Sequence, residues 1–334
     1  MKITSEEIAR LANVSRSTVS RVINNYSNVP EETRKKVMDV VKEYGYEPNS
    51  FARVLAGKAK QEIALFISDY NLGKNRWRGR KHPYFLRLIA ELISQSKRYE
   101  HIISVFIVSK QEDYRKIENL YLNREISGGI FIGFEFEMDS INQLIAEGFN
   151  MVVIDPESDM MEAANVKGIY SENENAGYLA TRYLLDAGHR RIAHIAGDHR
   201  LSSRDRMEGY LRAMREYGIP EEEVMVLPGN FESDEAYEAA LKILNQSCTA
   251  VFASNDMMAI AAIRAANSQG IPVPKDFAVV GCDYDSTYED IGYHLTSVEI
   301  SIERLSRAAV EAVLGIEKKD KIYCKATLVK GSTA

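Results

Sequence analysis

Apolar residues recur with two different rhythms along this chain: three or four residues apart near the N-terminus, and in short continuous runs beyond Glu62. Near the start, Ile8, Leu11 and Ala12 follow Thr4-x-x-Glu7, a capping box in which the hydroxyl takes one helix N–H and the carboxylate reaches back for another. This predicts a short helix with one buried stripe, broken at Asn13-Val14. Ser15 can cap a second helix whose Val19, Val22 and Ile23 face inward, leaving Arg16, Ser17, Ser20, Arg21 and Asn24 on the outer face. A third helix is expected from about Pro30 to Tyr44, burying Val37, Val40, Val41 and Tyr44, with Pro30 in its first turn and Gly45 as its C-terminal cap.

From Glu62 onward, β-rich runs alternate with amphipathic helices. The runs are Ile63–Ile67, Ile102–Val108, Gly129–Ile132 and Met151–Ile154, then Ile192–Ala196, Ala250–Ala253 and Phe277–Val280. Helical segments over Tyr84–Tyr99, Asn173–Ala187, Ser203–Tyr217 and Met257–Gln269 lie between them. Such alternation with buried strands implies parallel sheets, here in two halves with crossovers expected near 157–167, 285–300 and 315–323.

Two helices joined by a short turn and braced by a third form a helix-turn-helix unit. The second helix fits the DNA major groove, where Arg16, Ser17 and Arg21 can meet base edges; a bidentate arginine–guanine pair is worth roughly 1–3 kcal/mol of discrimination. The short hydroxyls of Ser15, Thr18, Ser20 and Thr33 suit phosphate contacts, which set register without reading sequence; Thr4 and Asn28 complete the expected DNA-facing set.

Charge sharpens this picture. Residues 1–60 carry 11 Lys and Arg against 7 Asp and Glu, a net of +4, leaving 31 against 41 in the remainder of a chain whose total is −6. A basic head on an acidic body points to a polyanionic partner for the head alone. The length of 334 residues suggests about two to three domains. Cys248, Cys282 and Cys324 are odd in number and widely spaced, which argues against a disulfide framework and fits a reducing, cytoplasmic setting. No apolar run approaches the roughly 18 residues needed to span a bilayer, and the N-terminus lacks a signal-peptide pattern, so no membrane partner is expected.

The stretch from Ile8 to Asn24, with Val29-Pro30-Glu31-Glu32-Thr33-Arg34, Tyr44-Gly45-Tyr46-Glu47-Pro48-Asn49 and Phe51-Ala52-Arg53-Val54-Leu55-Ala56, resembles the head of the lactose/galactose repressor family; the likeness resumes through the body. It implies an all-α helix-turn-helix domain over 1–47, a hinge helix and linker over 48–60, and an effector-binding and dimerisation domain over 61–334. That last domain is expected to be an α/β, periplasmic-binding-protein-like sensor of two parallel-sheet subdomains: about 61–158 plus 286–315, and about 159–285 plus 316–334. The resemblance places the base-reading pair on Arg16 and Ser17 with Arg21 beside them, and a minor-groove wedge on Leu55, flanked by Ala52 and Ala56 in a hinge beginning at Asn49. That hinge, about eight residues, is well under the ~12–15 an isolated helix needs in water, so it is expected to be helical only when a second copy and the groove support it.

Ligands of open α/β sheets sit beyond the carboxyl ends of the strands. Those ends offer Asp155, Asn255 and Asp283, and Ser202-x-x-x-Arg206 opens a helix after a strand and loop. The resemblance assigns hydroxyl-binding roles to Arg206, Asn255, Asp283 and Asp155, and aromatic places to Tyr84 and Phe231. The plain alternative is a helix cap or turn for Asn255 and Asp283, and a surface ion pair for Arg206. Three features depart from the family pattern: an enlarged basic loop over 71–81 bearing Trp77, His82 in place of an asparagine, and Gly133-Phe134 where some members offer a polar contact.

No nucleophile elbow, phosphate-cradling Gly-Lys-Ser/Thr loop or Cys/His metal spacing is present, so neither an enzyme nor a cofactor or metal site is expected. The expected partners are a near-palindromic double-stranded operator, read by a homodimer, and a small effector, a sugar or sugar phosphate. Two rival readings are a regulator whose sensor docks a phosphorylated carrier protein, and a carbohydrate-binding or hydrolytic protein that merely retains the head.

Overall fold

The computed structural model describes residues 4–23, 26, 28–44, 62–68, 83–110, 112–133, 138–156, 165–286, 288, 292 and 294–334. Asn24, Gly45, the segment 48–60 with Asn49, Ala52, Leu55 and Ala56, the loop 71–81, His82 and Phe134 lie outside the described residues. The chain divides into two compact units, Met1–Lys60 with Asn123–Glu125, and Gln61–Leu122 with Ile126–Ala334.

In the first unit, helices α1 (Ser5–Leu11), α2 (Arg16–Ile23) and α3 (Glu31–Glu43) pack around Ile8, Ala9, Ala12, Val19, Val22, Val29 and Val37. The capping box forms: Glu7 N–H donates to Thr4 Oγ1 at 3.3 Å, and Thr4 N–H donates to Glu7 Oε2 at 2.7 Å. Two expected core positions do not hold. Leu11 is 43% exposed and Tyr44 48% exposed. On α1 the buried arc is Ile8, Ala9 and Ala12, and at about 100° per residue Leu11 falls some 100° from its centre. Tyr44 is the C-cap of α3, beyond the last turn that the core covers, and Pro30 is the N-cap rather than a first-turn residue.

The second unit holds two six-stranded sheets. The first is built from β1 (Glu62–Ser68), β2 (Ile102–Val108), β3 (Gly128–Ile132), β4 (Met151–Ile154), β5 (Val166–Ser171) and β11 (Lys321–Cys324), in the order β11-β5-β4-β3-β1-β2. The second is built from β6 (Ile192–Ala196), β7 (Met225–Pro228), β8 (Ala250–Ala253), β9 (Ala278–Cys282), β10 (Thr296–Ile300) and β12 (Ala326–Val329), in the order β12-β10-β9-β8-β6-β7. All pairs are parallel except β10 with β12. Parallel strands need crossover helices, so both faces of each sheet are covered and the strands read as apolar runs.

Helices α4 (Pro83–Arg98), α5 (Glu112–Leu122), α6 (Met138–Ala146) and α11 (Ile302–Val313) belong to the first sheet's lobe. There Leu88 and Leu92 of α4 meet Leu305, Ala309 and Val310 of α11. Helices α7 (Asn173–Asp186), α8 (Leu201–Glu216), α9 (Ser233–Leu244) and α10 (Asp256–Ser268) cover the second sheet. No helix among the described residues is long and apolar enough to cross a membrane.

The expected subdomain boundaries require correction. β5 pairs with β4 (Met151 beside Val166), so the chain leaves the first lobe after Ser171 rather than near 158. β10 pairs with β9 and belongs to the second lobe, so the return crossing follows Ile300. β11 pairs with β5, placing the last crossing between Cys324 and Ala326. Strand–helix alternation reports where strands are; sheet membership is decided by pairing across tens to hundreds of residues, which the local pattern does not carry.

Candidate DNA-reading helix and effector cleft

On the head, Val19 and Val22 are buried and fix the rotation of α2, which leaves Arg16, Ser17, Ser20 and Arg21 exposed together on the opposite face. Among the described residues Arg16 and Arg21 make no ion pair. Ser15 is exposed, and its Oγ accepts the Thr18 N–H at 3.1 Å, capping α2 as expected. The same hydroxyl lies 2.7 Å from Ser17 Oγ and 2.8 Å from Thr18 Oγ1, so the three hydroxyls form one polar cluster at the helix start. The first turn of α2 carries no acidic side chain, which leaves its N-terminal dipole available to a phosphate. Thr4 and Asn28 are exposed and Thr33 half-buried. Arg34 was missed by sequence reasoning: its guanidinium, on α3, donates to Tyr26 O at 2.6 Å.

In the second unit, the carboxyl ends of four strands converge. Asp155 follows β4, Ser254 and Asn255 follow β8, Asp283 follows β9, and Gly197 to Arg200 follow β6. Arg206, 5% exposed, is the centre of this constellation. Its Nε donates to Asn173 Oδ1 at 3.0 Å, one Nη donates to the Ser254 carbonyl, and the other donates to Asp283 Oδ1 at 3.1 Å. Burial works against its charge, but Cys282, Asp283, Tyr84 and Asp155 around it hold the guanidinium firmly protonated. Three protein partners orient the arginine before any ligand arrives, which lowers the ordering cost of binding.

Arg206 reaches Asn173 because α7 and α8 approach at glycines. A Cβ on Gly177 would lie 2.0 Å from Arg206 O, and one on Gly209 2.0 Å from Glu174 O. Only hydrogen at those two positions permits this backbone contact.

Asp155 adopts a left-handed φ of 47°, and its carboxylate accepts Ser171 N–H at 2.6 Å and Ser171 Oγ at 3.0 Å. Burial raises its pKa, opposed by the two Ser171 bonds and the charge of Arg206. Burial and the neighbouring Asp155 and Asp283 charges push the Tyr84 phenol far above its usual range, so it remains a neutral hydroxyl. Tyr84, Asp155, Arg206 and Asp283 therefore form one electrostatically coupled group.

Phe231, at a φ of 54°, lies against Gly197, where a Cβ would come within 2.2 Å of the ring. The Arg200 guanidinium sits 4.6 Å from the Phe231 ring centroid and is held by Asp198 at 2.8 Å. Asn255 is the N-cap of α10, its Oδ1 accepting Met258 N–H at 2.9 Å. Its oxygen thus helps hold the start of the helix.

Several residues in and behind the cleft were not found from sequence: Ser171, Asn173, Arg200, Asp205 and His194. Burial and the Asp155 and Glu174 charges push Asp205 up to about 6. His194, stacked between Tyr210 at 5.3 Å and Phe252 at 4.7 Å, is driven down to about 4 by burial and is neutral at physiological pH. Its Nδ1 lies 3.0 Å from the Phe252 carbonyl, which can only accept, so the proton is on Nδ1 and Nε2 accepts from Ser254 Oγ at 3.3 Å. Ser254 Oγ in turn accepts Gly197 N–H at 3.2 Å. This chain fixes Ser254, whose carbonyl holds Arg206, and Gly197, on which Phe231 rests. Among the described residues no group of three or more His, Cys, Asp or Glu side chains is placed to hold a metal ion.

A family model described as bacterial regulatory proteins, lacI family, matches residues 4–49, and one described as a periplasmic binding protein-like domain matches residues 181–329. The HTH-type transcriptional repressor PurR of Pasteurella multocida (strain Pm70) is 32% identical over 316 residues, covering 92% of this chain and 90% of that protein. The HTH-type transcriptional regulator DegA of Bacillus subtilis (strain 168) is 32% identical over 314 residues, covering 91% and 88%. Among solved structures, the lac repressor dimer bound to operator and the anti-inducer ONPF superimposes with a TM-score of 0.82 at 25% identity, covering 100% of this chain and 99% of that one. The complex of the transcriptional regulator CelR with cellobiose does so with a TM-score of 0.70 at 26% identity over 100% of both chains. With its helix-turn-helix head and two-lobed parallel-sheet sensor, the chain belongs to the lacI family of bacterial regulatory proteins, DNA-binding transcription regulators.

Proposed function

We propose that this regulator is a repressor that reads a near-palindromic operator as a homodimer, and that a small neutral polyhydroxy effector of the sugar class sets its DNA affinity. The observation that carries the effector reading is the fixed Arg206, pinned by Asn173, Ser254 and Asp283 near Tyr84, with Phe231 against Gly197, whose N–H bonds Ser254. A rigid donor–acceptor set with an aromatic face matches the hydroxyl edges and apolar face of a sugar ring. The carboxylates of Asp155, Asp205 and Asp283 around Arg206 disfavour a phosphate, so the neutral sugar is preferred to the sugar phosphate. The cellobiose in the CelR complex supports the same class.

Arg16, Ser17 and Arg21 read base edges, while Thr4, Ser15, Thr18, Ser20, Asn28 and Thr33 position the phosphates. Asn24 and the 48–60 hinge, with Asn49, Ala52, Leu55 and Ala56, complete the DNA contacts in this reading. Self-association is supported by apolar side chains that a monomer leaves in water: Leu86 and Ile93 on α4, and Ile102 and Val105 on the edge strand β2. Effector binding between the lobes shifts the population of the DNA-competent state, a coupling of typically ~1–3 kcal/mol.

Calorimetric titration of the full-length protein with a panel of neutral mono- and disaccharides and their phosphates tests the reading. Binding of a neutral member that is lost in Arg206→Ala supports it; binding confined to phosphates, or retained in the variant, contradicts it.

A further inference from the structure

One side chain reaches across the cleft from the first lobe to the loop that presents Asp283. Arg87, on α4, donates from Nη1 to Tyr284 O at 3.0 Å and lies 3.7 Å from Asp285 Oδ1. Arg87 is one third exposed, whereas the Asp285 side chain is 4% exposed. The arginine therefore approaches a buried anchor from a solvated position, the geometry of a contact that water can replace when the lobes part.

The loop it holds is conformationally demanding. Asp283 and Tyr284 both occupy positive φ, 100° and 48°, a region L side chains rarely adopt, and do so consecutively. From its own lobe the loop is pinned by Asp283 N–H to Val298 O at 2.9 Å, Tyr284 N–H to Ser297 Oγ at 3.2 Å and Asp285 N–H to Asp256 Oδ2 at 2.7 Å. Ser297 Oγ donates onward to Asp256 Oδ1 at 2.6 Å, so the Tyr284 and Asp285 attachments share one buried hub. Asp256 directly follows Ser254-Asn255, and Asp283 accepts from Arg206. The loop is thus joined at one end to the arginine of the cleft and at the other to a helix of the opposite lobe.

We propose that Arg87 is a positioning residue for the effector response: it latches the first lobe onto the 283–285 loop, so that the lobe angle and the Asp283–Arg206 pair are set together. This rests on the cleft being the effector site, but the latch itself is a property of the ligand-free protein. Opening the cleft withdraws the guanidinium from Tyr284 O and from Asp285, the loop loses this hold from the other lobe, and Asp283 is less firmly presented to Arg206. Closing the cleft restores both.

Amide hydrogen exchange of the full-length protein, measured without ligand, tests this. In Arg87→Met, which keeps the aliphatic stem and removes the donor, the amides of Tyr284, Asp285 and Tyr288 should exchange about fivefold faster, the factor for one partly exposed hydrogen bond, while β8 and β9 keep their protection. Asp283→Asn, which weakens the pair with Arg206, should loosen the same amides, and the double variant should fall short of the product of the single effects. Unchanged exchange in Arg87→Met overturns the latch, and a strictly multiplicative double variant overturns its coupling to Arg206. Neither outcome depends on a sugar binding, so failure of the effector reading is seen separately, in the titration above.

Discussion

Gly177 and Arg206 meet backbone to side-chain position: a Cβ at 177 would stand 2.0 Å from the Arg206 carbonyl oxygen. The arginine that organises the cleft is therefore placed by a helix crossing, through a glycine that itself makes no polar contact with the site. Gly177→Ala forces α7 and α8 apart, an overpacking cost of about 1–3 kcal/mol. A lower thermal midpoint together with a weakened effector response is expected; an unchanged midpoint by calorimetry contradicts the close crossing.

Arg206→Ala removes three hydrogen bonds and leaves the Asp283 carboxylate buried without its cation. Breaking one side of a buried pair typically costs about 3–5 kcal/mol, so the sensor should lose stability as well as ligand response. Operator binding by the separate helix-turn-helix unit should persist at temperatures where the variant is folded. Mobility-shift titration with and without the effector identified by calorimetry measures both; a normal effector response means the cleft has been misassigned.

Asp256 gives the sensor a pH signature. Burial, and after it the Asp283 charge, push its carboxyl up to about 7, against the lowering effect of bonds from Ser297 and the Asp285 N–H. A folded pKa above the unfolded value of 3.8 means the folded state binds the proton more tightly. Its stabilising contribution is full below the unfolded pKa and is lost as pH rises through about 7. Asp256→Asn imitates the protonated form and lacks this loss. The midpoint of the wild-type protein should fall relative to that variant between about pH 4 and pH 7, and parallel profiles contradict the assignment.

Much of this molecule was legible because strong local patterns matched its elements. All seven apolar runs read as strands are strands, and the segments read as helices over 84–99, 173–187, 203–217 and 257–269 lie within a residue or two of α4, α7, α8 and α10. The strands that escaped notice, β5, β7, β10, β11 and β12, are short or interrupted by polar residues, such as Lys167 in β5 and Glu299 in β10. Missing β5 hid Ser171 and Asn173 as well, since their role follows from standing at the end of a strand and the start of the next helix. It also displaced the lobe boundary. Asn255 shows the opposite limit: its cap geometry was foreseeable from the residue type, whereas Arg87 was not, because its partner is a backbone carbonyl 197 residues away.

The exposed face of α2 carries the central claim, that this chain selects DNA by sequence. Removing one bidentate arginine contact to guanine costs about 1–3 kcal/mol of base discrimination, while phosphate contacts act almost uniformly on all duplexes. The direct test is selection of bound duplexes from a randomised pool at moderate salt, run with wild type, Arg16→Ala and Arg21→Ala. The wild type should enrich one two-fold-symmetric site, and each variant should lose preference at specific base pairs in both half-sites while remaining folded. Recovery of no preferred sequence by the wild type, or the same site with undiminished preference in both variants, contradicts it.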